Sequence, residues 1–456
     1  RTYTFRLRPN IRYSNGRLVK ASDFRATFER DFRVGTPVPY YDDIVGGARC
    51  RKSPRRCDLS RGIVADDAAK TVTFHLVAAD PEFFYKLAIP FAYVLPAGSP
   101  PHDAGTHPLP GTGPYEIASY QPRHLLRLVR SKYFREWSQS AQPDGYPDEI
   151  VIRVGGTSDQ AMRDVLQGKA DVVWWNEPAS QRQLAELETQ YASQVHTNPQ
   201  QATQGLFLNA RVPPFDQLDV RRALNYAADR GAVVQATGGP FAGQAACQTL
   251  PPDFPGYSPY CPYTAGSSTQ SIGTVPDLAR ARALVAHSGT RGMKVTFWSW
   301  TAAASFTRYA VTLLRSLGYR VSTKTLGDNY FPTVQDSRNK AQIGFFGWEP
   351  DYPAASAFFP SLFSCASFLP GNRNSLNAFE FCDRRIDREI KQALTEQATN
   401  PDAARRTWER VDRETVDQAA WVPLYTPKSV DVLSKRVGNY QYSPSGGVLF
   451  DQLWVR

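Results

Sequence analysis

Two carboxylates, Glu349 and Asp351, stand inside the most ring-rich stretch of the chain, FFGWEPDYPAASAFFPSLF at 345–363. An acid beside aromatic faces can do acid–base work, as in a glycosidase site. The plainer alternative is that the rings fill a core and the acids sit on a turn. Glycoside hydrolysis needs a second, separate acid in the same setting. None is evident, because the other adjacent acids, Asp42/Asp43 and Asp66/Asp67, lie away from any ring cluster. The chain has no GxSxG, GxxxxGK[ST], HExxH or GxGxxG motif, so nucleophile and phosphate-loop chemistry find no support. The histidines are scattered, and the one close pair, His102 and His107, has no third ligand nearby. Neither a metal nor another cofactor is expected.

The cysteines fall as three near neighbours, Cys50/Cys57, Cys247/Cys261 and Cys365/Cys382, with no CxxC and no histidine at metal-ligand spacing. Three local disulfides in an exported protein is the preferred reading. Six reduced, buried thiols in a cytosolic protein is the alternative.

At 456 residues, with 42% hydrophobic and 21% charged side chains, the chain should form two or three folded domains. No run of 18 apolar residues offers a membrane span. A net charge of +10 raises the question of nucleic acid. Its densest basic run, ARCRKSPRRCDLSRG at 48–62, is a short loop between two cysteines, and no zinc-finger, RNP-like or helix-turn-helix pattern accompanies it. Nucleic acid is not expected as a partner; the charge suits solubility at an anionic cell envelope. The sequence opens on RTYTF without Met or an apolar leader, which reads as a processed or trimmed chain.

The elements that position these residues follow from periodicity. TYTFRLR alternates as a strand, Asn15-Gly16 makes a turn, and KASDFRATFERDF is helical after a Ser22 cap. GIVADDAAKTVTFHLV is a hairpin, and PEFFYKLAIPFAYVLP a short helix leading to a strand. A Pro/Gly/His-rich stretch, 98–115, marks a domain crossing. From Tyr115 the pattern reads as βα alternation, including the strand ADVVWWN, the strand TQGLFLNA and one long helix through DVRRALNYAADRGAVVQA. After a proline-rich stretch, 238–277, alternation resumes through MKVTFWSW, SFTRYAVTLLRSLG and YRVSTKTLG to the 345–363 stretch, two helices and AWVPLYTPKSV.

Taken in order, these segments resemble the family 5 extracytoplasmic solute-binding proteins of ABC importers, the peptide, oligopeptide and nickel type. The resemblance rests on YTFRLRPNIRYSNGRLVKASDFRATFER, on GTGPY at 111–115, on LQGKADVVW and on LNARVPPFDQLDVRRALNYAADR. DLARARALVAHSG, GWEPDYP and DQAAWVPLYTPKSV complete it. It implies an α/β, periplasmic-binding-protein-like type II fold: two lobes in three subdomains, with hinge closure around a central cleft. The expected division is 1–108, a small domain lacking the family's N-terminal residues; 109–246 with 434–456, lobe I; and 247–433, lobe II.

The implied function is that of a non-enzymatic receptor, binding an oligopeptide or similar extended solute in the interlobe cleft and delivering it to permease subunits. The implied setting is extracytoplasmic, as a monomer, with membrane attachment only through an N-terminal anchor. A sensing module of a larger regulatory protein, and least a hydrolase, are the alternatives. By the resemblance, Asp351 pairs with a peptide's α-ammonium, with Tyr352 in the same motif, and Trp348 walls the cleft. Trp298 or Trp300 adds to the same lobe, Trp174, Trp175 and Asn176 face the cleft from the other, and Gln204 contacts ligand backbone. Where relatives carry another acid after the motif, this chain has Ala354-Ala355-Ser356, so the solute class stays open. Nickel would need a cleft histidine, and no candidate stands out.

Overall fold

The computed structural model describes residues 1–35, 40–174, 181–266 and 275–456. The chain divides into two compact units: Arg1–Asp171 with Ser434–Arg456, and Val172–Leu433.

The first unit begins with a three-stranded antiparallel sheet. In it β1 (Thr2–Arg6) and β2 (Ile63–Asp66) flank β3 (Thr71–His75). Helix α1 (Ala21–Val34) lays Phe28 on this sheet, edge-on to Phe74 and Tyr41. The expected Ser22 cap is replaced by Asp23. Its buried carboxylate accepts from Lys20 N (2.9 Å), Tyr13 Oη (3.0 Å) and Ala97 N (2.8 Å). Ser22 instead turns outward to Asp67 on the β2–β3 bend. Burial and the neighbouring Asp23 push the Tyr13 hydroxyl's pKa up. After α2 (Phe83–Ala88) the expected strand does not form. Pro90 opens a 3₁₀ turn, and a proline can join a sheet only at its edge. From Tyr115 the chain makes an antiparallel meander, β4 (Tyr115–Gln121), β5 (Leu125–Arg130) and β6 (Glu149–Arg153), before its next helix. Helix α3 (Ser158–Leu166), capped by Thr157, follows.

The second unit carries the main core around one large sheet, whose order is β10–β14–β9–β13–β11–β12. Its strands are β7 (Val172–Val173), β8 (Val195–Pro199), β9 (Thr203–Leu208), β10 (Gly243–Ala245), β11 (Lys294–Trp300), β12 (Arg320–Leu326), β13 (Ile343–Trp348) and β14 (Trp421–Leu433). Its helices of five residues or more are α4 (Gln181–Gln190), α5 (Leu218–Ala227), α6 (Arg230–Ala236), α7 (Leu278–His287), α8 (Ala304–Ser316), α9 (Tyr330–Val334), α10 (Arg384–Gln397) and α11 (Pro401–Gln418). Strands β11, β12 and β13 are mutually parallel where they pair, with α8 as the β11–β12 crossover; β9, β14 and β10 run antiparallel to their neighbours. Residues 172–246 lie in the same compact unit as 247–433, with β9 between β13 and β14. The sequence's single long helix is two, α5 and α6, parted at Ala228–Asp229. Asp229 caps α6, and the fully buried Arg230 donates to the carbonyls of Ala246 (2.9 Å), Pro423 (3.0 Å) and Asn225 (3.3 Å). A buried guanidinium needs acceptors at these angles, and the break supplies them. Asp412 on α11, 1% exposed, accepts from Gln248 Nε2 (2.6 Å), Thr249 N (3.0 Å) and Leu250 N (3.4 Å), tying the segment after Cys247 to the helix.

All three local disulfides are formed, Cys50–Cys57, Cys247–Cys261 and Cys365–Cys382. The last spans 17 residues, so loop entropy predicts that Cys365→Ala/Cys382→Ala lowers stability by about 3 kcal/mol. Denaturant midpoints of the two proteins check this. Equal midpoints would show that packing alone holds the loop.

Candidate functional site

The C-terminal ends of parallel strands are where an α/β sheet opens to ligand. Here β11 ends on Trp300 and β13 on Trp348, with Asp351 three residues beyond. Strand β13 has small or apolar residues through Gly347 and stops because Pro350 cannot continue the ladder. Asp351 is exposed just past the buried Pro350. Glu349 beside it has its pKa raised, first by desolvation and then by the charge of Asp351.

Period-two alternation assigns the neighbouring side chains to opposite faces of the sheet. On one face, Gln204 of β9 lies between Gly347 of β13 and Tyr425 of β14. A Cβ on Gly347 would fall 1.7 Å from Gln204 Oε1, so the glycine is the seat of that side chain. A run of rings continues beside it: Tyr425 stacks on Phe306 (5.7 Å), Phe306 meets Phe345 (4.9 Å), and Phe345 meets Trp300 (5.9 Å). Trp300 also stacks on Tyr330. Burial pushes the Tyr425 hydroxyl up to about 12. On the other face Trp348 is pinned by its indole N–H, which donates to Ala357 O at 2.9 Å.

That bond explains Ala354-Ala355-Ser356. All three residues and Ala357 are buried in the turn against which Trp348 is fixed, and Gly256 approaches Ala355 from behind. An acid there would be buried without a partner. Tyr352 is 3% exposed, its hydroxyl 3.3 Å from Ser356 Oγ. It braces this turn rather than opening to solvent. Trp298 is likewise buried, with the Lys324 ammonium 4.1 Å over its ring.

Trp174 is 65% exposed, but it follows β7, which pairs with β14 at Val432–Leu433. Along β14, Val432 lies seven residues from Tyr425, roughly 23 Å of strand from Gln204. The structure thus gathers Trp300, Trp348, Asp351 and Gln204 at one end of the sheet and leaves Trp174 apart. Trp175 and Asn176 lie outside the described residues. Tyr425, Phe306 and Gly347 join the site without having been singled out. The signal available was a glycine inside a strand pattern, which marks close approach.

Gly347→Ala is expected to push Gln204 aside at little cost in stability, because the clash is with the far end of a flexible side chain. If Gln204 touches solute, Gly347→Ala and Gln204→Ala lower affinity alike, and the double variant loses no more than either. Additive losses would separate the two residues.

Sheet order, crossover helices and strand-end site together define an α/β protein of the periplasmic-binding-protein-like type II class. The chain belongs to the bacterial extracellular solute-binding proteins, family 5, whose middle-region model matches residues 1–369. It is 23% identical to the glutathione-binding protein GsiB of Escherichia coli O1:K1 over 467 residues, 99% of this chain and 82% of the relative. In fold it is similar to clavulanic acid biosynthesis oligopeptide binding protein 2, with a TM-score of 0.85 and 22% identity over 100% of this chain and 84% of that one. It also resembles the murein tripeptide binding protein MppA of Escherichia coli, with a TM-score of 0.78 and 20% identity over 100% and 87%. For Haemophilus influenzae OppA in complex with RPPGFSPFR the values are 0.77 and 17%, over 100% and 87%.

Proposed function

We propose that this protein is the substrate-binding receptor of an ABC importer that takes an oligopeptide or similar extended solute and hands it to the membrane permease. The observation that carries the reading is Asp351. It is an exposed carboxylate past the end of a central strand, held by Pro350 and by a turn on which Trp348 is pinned. Such a group offers a charge-assisted hydrogen bond to a cationic terminus. Gln204, seated on Gly347, adds an amide that can both donate to and accept from a peptide backbone. The likeness to receptors solved with peptides supports it, RPPGFSPFR in OppA and STSA in Helicobacter pylori DppA, as does the curated relatives' binding of glutathione.

In this reading the peptide's amino terminus sits at Asp351 and its backbone runs past Gln204. Chemistry is not required: the acids present, Glu349 and Asp351, serve recognition. Native mass spectrometry of the purified protein tests it. A ladder of co-purified short peptides, replaced by added oligopeptide, is the expected result. A protein that carries no peptide and shows no binding heat with peptides of varied length would overturn it.

A further inference from the structure

We propose that the disulfide-closed loop of residues 47–61 in the first unit is a docking surface for anionic phospholipid headgroups. The loop is a short helix, Gly47–Lys52, followed by the 3₁₀ turn Pro54–Arg56. Cys50–Cys57 joins its two arms, with their Cα atoms 4.4 Å apart. Its larger apolar side chains point inward: Cys50, Cys57 and Leu59 are buried, Pro54 is half-buried, and the exposed Ala48 adds only a methyl group. Leu59 N donates to Glu29 Oε1 (3.1 Å) and Arg33 Nη2 to Cys57 O (3.4 Å), fixing the base to α1. At the far end of the loop, Gly62 packs so closely on Val45 that a Cβ would meet its carbonyl oxygen at 2.2 Å. Arg51 turns back to Asp42, to which it is ion-paired, and lies over Phe32.

What remains outward is charge. Arg49, Lys52, Arg55, Arg56 and Arg61 are all exposed, and among the described residues none of the five forms an ion pair. One carboxylate, Asp58, stands among them. Its pKa is lowered, first by the backbone and side-chain bonds of Ser60, with Arg25 and Arg49 adding to this. The knuckle therefore presents five cations against one anion on a covalently closed frame. It has no exposed ring and no apolar anchor of the kind that fixes a protein partner in register. Diffuse positive charge without an anchor suits a partner that is itself a sheet of diffuse negative charge. For an extracellular family member that partner is the lipid surface rather than nucleic acid. The inference rests on the chain's extracytoplasmic setting, not on which solute it carries.

The test is sedimentation of the full chain with phosphatidylcholine vesicles, with and without phosphatidylglycerol, over a salt series. Binding is expected only with phosphatidylglycerol, and it should weaken steeply as salt rises. R49Q/K52Q/R55Q/R56Q/R61Q is expected to lose about fivefold in affinity per cation removed, with unchanged melting because all five side chains are solvent-exposed. R384Q/R388Q/R406Q, which removes three exposed cations from α10 and α11, is expected to lose far less per cation. Should the five-site variant melt lower, R55Q/R56Q on the turn alone carries the same comparison. Three outcomes overturn the proposal: knuckle variants that bind as the wild type, an equal loss per cation in the two sets, or release of the protein by dilute inorganic phosphate at constant ionic strength. The last would assign the loop to a free phosphate.

Discussion

Asp351→Asn is expected to weaken binding of a peptide with a free amino terminus by about 1.5–3 kcal/mol, the range for a hydrogen bond to a charged group. In a calorimetric titration this is roughly a ten- to hundredfold rise in Kd. The argument turns on geometry: Asp351 is exposed, its backbone is braced by buried Pro350, and the turn behind it is clamped by Trp348 on Ala357. Little rearrangement is then needed when a cation arrives. A peptide acetylated at its amino terminus should bind the wild type as poorly as the free peptide binds the variant, and the variant should not distinguish the two. Unchanged affinity in Asp351→Asn would remove Asp351 from the site, while the family membership would stand.

The second large effect concerns stability. Asp412 is buried on α11 and is the acceptor for Gln248 Nε2, Thr249 N and Leu250 N. Asp412→Ala leaves the Thr249 and Leu250 amides buried without this acceptor and Gln248 Nε2 with only the Ser258 carbonyl (3.2 Å), at about 1–3 kcal/mol for each unmet donor before relaxation, so a loss of about 3–5 kcal/mol is expected. The same site sets a pH dependence. Burial raises the Asp412 carboxyl to about 6, against an ordinary value of 3.8, more than its hydrogen bonds lower it. The folded state therefore holds the proton more tightly than the unfolded state between about pH 4 and 6. Stability from this group is fully present below the unfolded value and is lost as pH rises through the folded one. The difference in unfolding free energy between wild type and Asp412→Ala should shrink by about 2 kcal/mol from pH 4 to 7. Denaturant titrations at stepped pH measure it, and a difference that grows with pH would contradict the assignment.

Much of this was legible in the residues. Each cysteine found the partner its spacing named, because loops of 7, 14 and 17 residues close easily and leave little choice. The strands MKVTFWSW and TQGLFLNA and the helices flanking them announced themselves by period. Where local pattern and structure differ, a non-local partner decides. Ser22 looked like a cap, but Asp23 gathers donors from Lys20, Tyr13 and Ala97, the last 74 positions away. The helix through 218–236 broke because Arg230 had to meet carbonyls of Ala246 and Pro423.

For the candidate site, the sequence by itself determined the strand-end corner: a strand rich in rings, a glycine, a tryptophan, and an acid set between two prolines. These are local choices of side chain and backbone angle, written within a dozen residues. Only the tertiary structure decided which face each residue serves. Register with β9 and β14 brings Gln204 over Gly347 and beside Tyr425, while alternation turns Trp348 the other way onto Ala357. It also buries Tyr352 and Trp298 and sets Ala354-Ala355-Ser356 in a buried turn. Burial and pairing across strands are sums over contacts distant in sequence, and no single segment carries that information.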